Sequence, residues 1–143
     1  MSTGIQTDIQ SIIDEFDFLG DWEERYRYLI DLGKALPALP PGEMTDANRV
    51  KGCTSQVWLI SDVEHSSPPR LTFRAQSDAH IVRGLAALLL RLYSGRTAEE
   101  ILSVDARKVI EAIGLAEHLS PQRSNGLNSM IARIQREAGS VAA

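Results

Sequence analysis

The chain has 143 residues, 43% of them apolar, which is enough for the core of one domain and too few for two of ordinary size. Its 15 basic and 19 acidic residues give a formal net charge of -4, and the longest basic run is Arg107-Lys108. This composition lacks the positive surface that nucleic-acid binding requires. We therefore predict a single domain over residues 1–143 and no nucleic-acid partner.

The longest apolar run, residues 85–90, is far shorter than the roughly 20 residues that cross a bilayer. The first ten residues have neither a basic start nor an apolar run, so we expect no signal peptide. A single cysteine, Cys53, rules out a disulfide within the chain and removes any sign of an oxidising compartment. We expect a cytoplasmic protein with no membrane partner.

Two amphipathic helices are predicted at the front of the chain. Apolar residues within 5–16 recur at steps of three and four, as on one face of a helix that ends near Gly20. Asp21, with Glu24 three residues later, has the pattern of a capping box and predicts the start of a second helix. Pro37 stops this helix, and an irregular stretch follows.

The periodicity changes after residue 50. Residues 57–60 are a short apolar run, and apolar and polar side chains alternate through residues 71–76, so both segments are predicted to be strands. The serines and prolines of residues 66–69 connect them and favour an antiparallel hairpin. Because the first strand is apolar on both faces, we expect it inside the sheet, with one face of the second strand toward solvent.

The rest of the chain has helical patterns. Residues 81–92 carry a broad apolar stripe typical of a central helix, and Thr97 with Glu100 is a second capping box. The pattern resumes in residues 109–114, and Ser120-Pro121 is typical of the start of a last helix. Residues 139–143 are expected to be a disordered tail. This order of elements indicates an α+β fold.

Cys53 is the first candidate for chemistry. It lies between the irregular stretch and the first strand and follows Gly52, whose backbone freedom suits a loop tip. The neighbouring Arg49 and Lys51 would favour the thiolate, the form that attacks sulfur. The alternative is a buried, unreactive cysteine that packs as a small apolar side chain. Local chemistry alone does not decide between the two.

The three histidines, His65, His80 and His118, show no spacing typical of metal ligands. A cluster scaffold is not favoured either, because one thiolate cannot supply the ligands of an iron–sulfur cluster. A stand-alone thiol enzyme, a hydrolase or a peroxidase, would use Cys53 with a histidine or an arginine, and His80 and His118 stay open as its base.

Several short segments, spread over nearly the whole chain, form a set of motifs. They are DWEERY (21–26), LGK (32–34), LP (36–37), GCTSQVW (52–58), SDA (77–79), IVRGL (81–85), SP (120–121) and RSNGL (123–127). The most specific pair is the segment around Cys53 and the RSNGL segment near the end of the chain. In order and spacing, these segments together resemble the SufE family.

The resemblance implies a SufE/IscU-like fold, in which a small antiparallel sheet packs against a layer of helices. It implies that Cys53 accepts persulfide sulfur from a SufS-type, PLP-dependent cysteine desulfurase, activates that enzyme and relays the sulfur toward an Fe–S scaffold complex. The protein would then be a carrier rather than an enzyme and would bind no cofactor of its own. Within this class, the alternative is a CsdE-type partner of a different desulfurase.

The resemblance also suggests partner-facing residues. Asp78 and Arg123 match motif positions, and Lys51 lies beside the cysteine. For Asp78 and Arg123 the alternative is an ordinary role at a helix N-terminus. Because a persulfide must be shielded between encounters, we also expect the loop that carries Cys53 to fold inward and to swing out toward the partner.

Overall fold

The computed structural model describes residues 3–53 and 55–142. Within these ranges it has six α-helices and three β-strands, and two short 3-10 turns at Pro41–Glu43 and Ala116–His118. In chain order the elements are α1 (Thr3–Phe18), α2 (Trp22–Lys34), β1 (Val57–Glu64), β2 (Arg70–Ser77), α3 (His80–Tyr93), β3 (Arg96–Thr97), α4 (Ala98–Ser103), α5 (Ala106–Ala112) and α6 (Pro121–Ala142).

The two predicted front helices are confirmed. Asp21 caps α2 by accepting the backbone N–H of Glu24 at 2.9 Å. The Glu24 carboxylate accepts the N–H of Gly20 instead of that of Asp21, so only half of the predicted capping box forms. At the other end, Arg83 of α3 donates to the carbonyl oxygens of Gly33 and Leu36 at 2.7 and 2.8 Å. These bonds tie α3 to the backbone at the end of α2 and just beyond it.

Helices α2 and α3 cross at unusually short range through two glycines. A Cβ on Gly33 would lie 2.7 Å from the backbone nitrogen of Gly84, and a Cβ on Gly84 would overlap the carbonyl oxygen of Leu29. No side chain fits between the two backbones. The crossing brings α2 onto α3, whose residues are buried along most of its length, as expected of a central helix.

The predicted hairpin is confirmed, but the place of its first strand is not. β1 and β2 pair antiparallel, and β3 pairs with the other side of β2, so β2 is the middle strand and β1 is an edge. The prediction that the first strand lies inside the sheet is wrong. Its adjacent residues Leu59 and Ile60 are both buried, and Arg49 pairs with Trp58 along its outer edge. Because adjacent strand residues point to opposite faces, both faces of β1 are buried at this point although the strand lies at an edge.

The helices after the sheet also form where the patterns predict them. Thr97 and Glu100 make both bonds of a capping box at the start of α4. α6 begins at Pro121, with the Ser120 hydroxyl accepting the N–H of Arg123 at 3.3 Å. It continues through residues 139–142, where a disordered tail was predicted; this part of the prediction is wrong, because Ala138 is buried and Val141 packs against the core. Ala143 lies outside the described residues.

The fold is α+β, with a three-stranded antiparallel sheet packed against helices. One core holds the sheet and the helices together: α3 packs on β2, on α2 and on α6. Across the described ranges, no helix combines the length and the apolar character that a membrane span needs. The sheet edge at β1 and the first half of α6 together place the segment that contains Cys53.

Candidate functional site

Cys53 lies in a loop that is closed at its base by strand-like pairing. Leu59 of β1 donates its N–H to the carbonyl of Asn48 at 2.8 Å, and Val50 donates its own to the carbonyl of Val57, also at 2.8 Å. The segment 48–50 thus runs antiparallel to the start of β1, and the chain between Val50 and Val57 forms a loop. The predicted position of Cys53, between an irregular stretch and a strand, is confirmed.

The far end of this loop is held by Asp78, just after β2. Its carboxylate accepts the N–H of Gln56 at 3.1 Å, and its own N–H donates to the carbonyl of Gln56 at 3.3 Å. Asp78 is exposed and does not line the cavity beside Cys53. The structure therefore gives Asp78 a definite task within the chain, which is to fix where the loop rejoins the sheet.

Two small residues of α6, Gly126 and Ser129, lie against the loop. The Cys53 sulfur lies 3.6 Å from the carbonyl oxygen of Gly126 and can donate a weak hydrogen bond to it. Gly52 has φ of +89°, a conformation that favours glycine, and a Cβ there would lie 2.6 Å from the Ser129 hydroxyl oxygen. The loop therefore packs directly against the backbone and a short side chain of α6.

A cavity of about 330 Å³ opens beside the Cys53 thiol. Ala79 and Val82 form an apolar part of its wall. The rest is mostly polar and includes Arg123 at the start of α6, so the structure brings Arg123 and Cys53 together. The remaining lining residues are Ser55, Ser120, Gln122 and Gly126. The cavity is larger than one sulfur atom needs and offers hydroxyl, amide and guanidinium donors.

The Cys53 thiol is half-buried and forms no disulfide. Burial raises its pKa above the ordinary value, because the charged thiolate loses solvation. The expectation that nearby cations favour the thiolate is therefore wrong for this conformation. Lys51 instead forms an exposed ion pair with Asp46 at 2.9 Å, which lowers the pKa of Asp46. Lys51 lines a separate cavity of about 200 Å³ with Arg133 and Arg136.

The histidines do not contribute to this site. His118 stacks on Trp22 with ring centroids 3.7 Å apart, and His80 is exposed at the start of α3. Neither lines the Cys53 cavity, and His65 lies in the turn between β1 and β2. In residues 3–53 and 55–142, no three His, Cys, Asp or Glu side chains are grouped as metal ligands would be.

The residues that support the Cys53 loop from α6 were not predicted. Gly126, Ser129 and Arg133 follow Arg123 at steps of three and four, so all four share one face of the helix. Two small residues on an otherwise amphipathic helix are the one signal for close packing that the sequence contains. That signal does not identify the partner segment, which lies more than 70 residues earlier in the chain.

Comparison with known proteins agrees with the resemblance found in the sequence. The family model SufE, described as an Fe-S metabolism associated domain, matches residues 10–138. An uncharacterized SufE-like protein of Rhizobium meliloti (strain 1021) is 53% identical over 133 residues, covering 92% of this chain and 95% of that protein. A second uncharacterized SufE-like protein, from Rhizobium etli, is 53% identical over 131 residues, covering 91% of this chain and 88% of its own.

The fold itself is also found in a solved structure. The solution structure of a hypothetical protein from Thermus thermophilus superposes with a TM-score of 0.77 at 24% sequence identity. It covers 94% of this chain and 96% of that one. The chain belongs to the SufE family of Fe–S metabolism proteins.

Proposed function

We propose that the protein is a sulfur carrier: Cys53 accepts persulfide sulfur from a PLP-dependent cysteine desulfurase of the SufS type and relays it toward an Fe–S scaffold complex in the cytoplasm. The observation that carries the proposal is the setting of Cys53. It is the one cysteine of the chain, and it lies in a loop tied at both ends beside an open cavity. A carrier needs such a thiol, which can be shielded and then presented.

The transfer step is a thiol–persulfide exchange. The Cys53 thiolate attacks the terminal sulfur of the donor's Cys–S–SH group, a new S–S bond forms on Cys53, and the donor's S–S bond breaks. The donor cysteine leaves as a thiolate, and the terminal sulfur keeps its hydrogen, so the step needs no oxidant or reductant. Because burial raises the pKa of Cys53, the loop has to leave α6 for the thiolate to form readily.

The cavity suits the sulfur that Cys53 would carry. A persulfide on Cys53 would extend into the space beside Arg123, whose guanidinium favours an anion. Ser55 and Gln122 supply further donors. Lys51 and Asp78 are both exposed close to the loop ends, and we propose that they contact the desulfurase.

We infer that the protein is not an enzyme by itself and that it binds no cofactor. A stand-alone thiol hydrolase needs a base within reach of Cys53, and no histidine lines its cavity. Of the two thiol enzymes, the cavity favours a peroxidase that uses Arg123, since Arg123 lines the same cavity as Cys53. Turnover of peroxide by the protein alone would support that alternative.

The test uses the purified protein, a SufS-type desulfurase and L-cysteine, followed by intact-mass measurement. We expect the wild type to gain the mass of one sulfur atom and to increase the desulfurase turnover. The matched variant Cys53→Ser keeps the size of the side chain and should gain no sulfur. If the wild type neither gains sulfur nor accelerates the desulfurase, the carrier function is wrong. An adduct formed only with a desulfurase of another type would favour the CsdE-type alternative.

A further inference from the structure

Arg133 of α6 holds the front end of the Cys53 loop. Its Nη2 donates to the carbonyl oxygen of Ala47 at 3.1 Å, and its Nη1 donates to that of Arg49 at 3.5 Å. The side chain is only 15% exposed. A guanidinium can serve two carbonyls at once because its donors are fixed in one plane. Arg133 therefore joins α6 to the backbone just before the loop begins.

Glu137 orients this guanidinium. It lies one helical turn after Arg133, and its carboxylate accepts the Arg133 Nε–H at 3.1 Å. The three contacts use the three nitrogens of the guanidinium separately, one for the carboxylate and one for each carbonyl. The Glu137 carboxylate thereby limits the rotation of the Arg133 side chain that binds the loop.

Three contacts follow one another along the same face of α6. Gly126 faces Cys53, Ser129 faces Gly52, and Arg133 binds the carbonyl of Arg49. The loop thus runs along the helix in the opposite direction to it. The first contact is one weak hydrogen bond of the thiol, and the second is close packing beside the Ser129 hydroxyl. Of these three α6 residues, Arg133 is the one that donates hydrogen bonds to backbone carbonyls at the loop, so it determines how closely the loop lies on the helix.

We propose that Arg133, oriented by Glu137, is a positioning residue that sets the packing of the Cys53 loop on α6 and thereby the exposure of the Cys53 sulfur. The consequence of this positioning for sulfur transfer rests on the proposed function. Its effect on the accessibility of the thiol does not, because any small alkylating reagent reports it.

Charged groups near the thiol could change its titration independently of burial. They are Arg123 on the cavity wall, the Lys51–Asp46 pair before the loop, and Asp78 at its far end. The guanidinium of Arg133 bonds to none of these groups, because its nitrogens are directed to Ala47, Arg49 and Glu137. Loss of the Arg133 positive charge by itself would disfavour the thiolate and raise the pKa of Cys53, so a fall of that pKa after replacement reports relief of burial.

The experiment measures the rate of Cys53 alkylation by iodoacetamide across a pH series, with no desulfurase present. We expect Arg133→Ala to react several-fold faster than wild type at neutral pH. Its titration midpoint should move down toward the ordinary value of a thiol, because the loop loses its grip on α6 and desolvation is relieved. Arg133→Lys keeps the charge but has one nitrogen, so it should restore the wild-type rate only in part.

Arg136→Ala is the matched control. Arg136 lies on the same helix, lines the same small cavity as Lys51 and Arg133, and has no ion pair within the described ranges. Its loss should leave the alkylation rate unchanged. The proposal is wrong if folded Arg133→Ala titrates and reacts like wild type, or if Arg136→Ala has the same effect.

A second variant covers failure of Arg133→Ala to fold. Glu137→Ala keeps the arginine and removes the acceptor that orients it, and it should also raise the alkylation rate; an unchanged rate would contradict the proposal. The two proposals fail separately. A wild type that takes no sulfur from a desulfurase refutes the carrier function, whereas the alkylation rates alone decide the role of Arg133.

Discussion

Cys53 rests directly on the backbone of α6, with its sulfur 3.6 Å from the carbonyl oxygen of Gly126. Glycine at this position leaves no side chain between the thiol and the helix, and a carbonyl oxygen is a poor neighbour for a thiolate. The resting loop therefore favours the protonated, unreactive form, in agreement with the raised pKa of the thiol. Reactivity and loop position are linked through this one contact.

The stability of the protein should depend on the protonation of Cys53 in alkaline solution. Burial raises the pKa of the folded-state thiol, so the unfolded chain releases this proton first. The contribution is fully present below the ordinary thiol pKa of about 8.5 and is lost as pH rises through the folded-state value. Urea unfolding of wild type and Cys53→Ser across that range should give curves that diverge only above the ordinary pKa. Curves that stay parallel would contradict the expectation.

Gly52→Ala should destabilise the loop by about 1–2 kcal/mol, since an L side chain at positive φ costs roughly that much. The added Cβ would also lie 2.6 Å from the Ser129 hydroxyl oxygen. Adding Ser129→Ala removes that clash and leaves the backbone strain, so the double variant should recover only part of the loss in thermal unfolding. Ser129→Ala alone is the control. Equal stability of Gly52→Ala and wild type would show that the loop does not hold this conformation.

Asp78→Ala should loosen the far end of the loop at a cost of about 1 kcal/mol or less, because the lost hydrogen bond is exposed. The amide of Gln56 donates to the Asp78 carboxylate, so hydrogen exchange at Gln56 should accelerate. Asp78→Asn keeps an acceptor oxygen and should stay closer to wild type. Unchanged exchange in Asp78→Ala would mean that other contacts hold this end.

Gly84→Ala should destabilise the fold by about 1–3 kcal/mol or more, the range for an added methyl in a packed core. The new Cβ would overlap the Leu29 carbonyl and force α2 away from α3. Gly139→Ala is the matched helical control, because no atom lies within 4 Å of its Cβ position; it should stabilise by about 0.5–1 kcal/mol. Denaturant unfolding of both variants measures the contrast, and equal midpoints would contradict the close crossing.

Local signals were sufficient for most of the helices and for the hairpin. The Thr97–Glu100 capping box and the Ser120-Pro121 start depend on residues three apart or adjacent, so the sequence contains all the information needed. The position of β1 at the sheet edge depends instead on the distant strand β3, which pairs with the other side of β2. An apolar run does not distinguish a middle strand from a covered edge.

For the site, too, the local features could be predicted from the sequence and the contacts between distant residues could not. A thiol after glycine at a loop–strand junction is a local feature that made Cys53 a candidate, and the structure confirms its position; its role came from the SufE resemblance. Lys51 shows how proximity in sequence misleads, since its ammonium group turns to Asp46. Arg133 was missed because the two carbonyls that it binds lie 84 and 86 residues away. Nothing in an arginine on an amphipathic helix indicates such a partner.

The bond between Val50 and Val57 at the base of the loop limits the reach of the sulfur. Cys53 is three residues from Val50, and an extended chain spans about 3.3–3.6 Å per residue. While this base stays closed, the Cα of Cys53 can move no more than about 10 Å from it. The Cys53 side chain reaches slightly beyond that radius, so a donor must bring its own sulfur to within about one side-chain length of it, by an exposed persulfide or by a mobile segment that carries it outward.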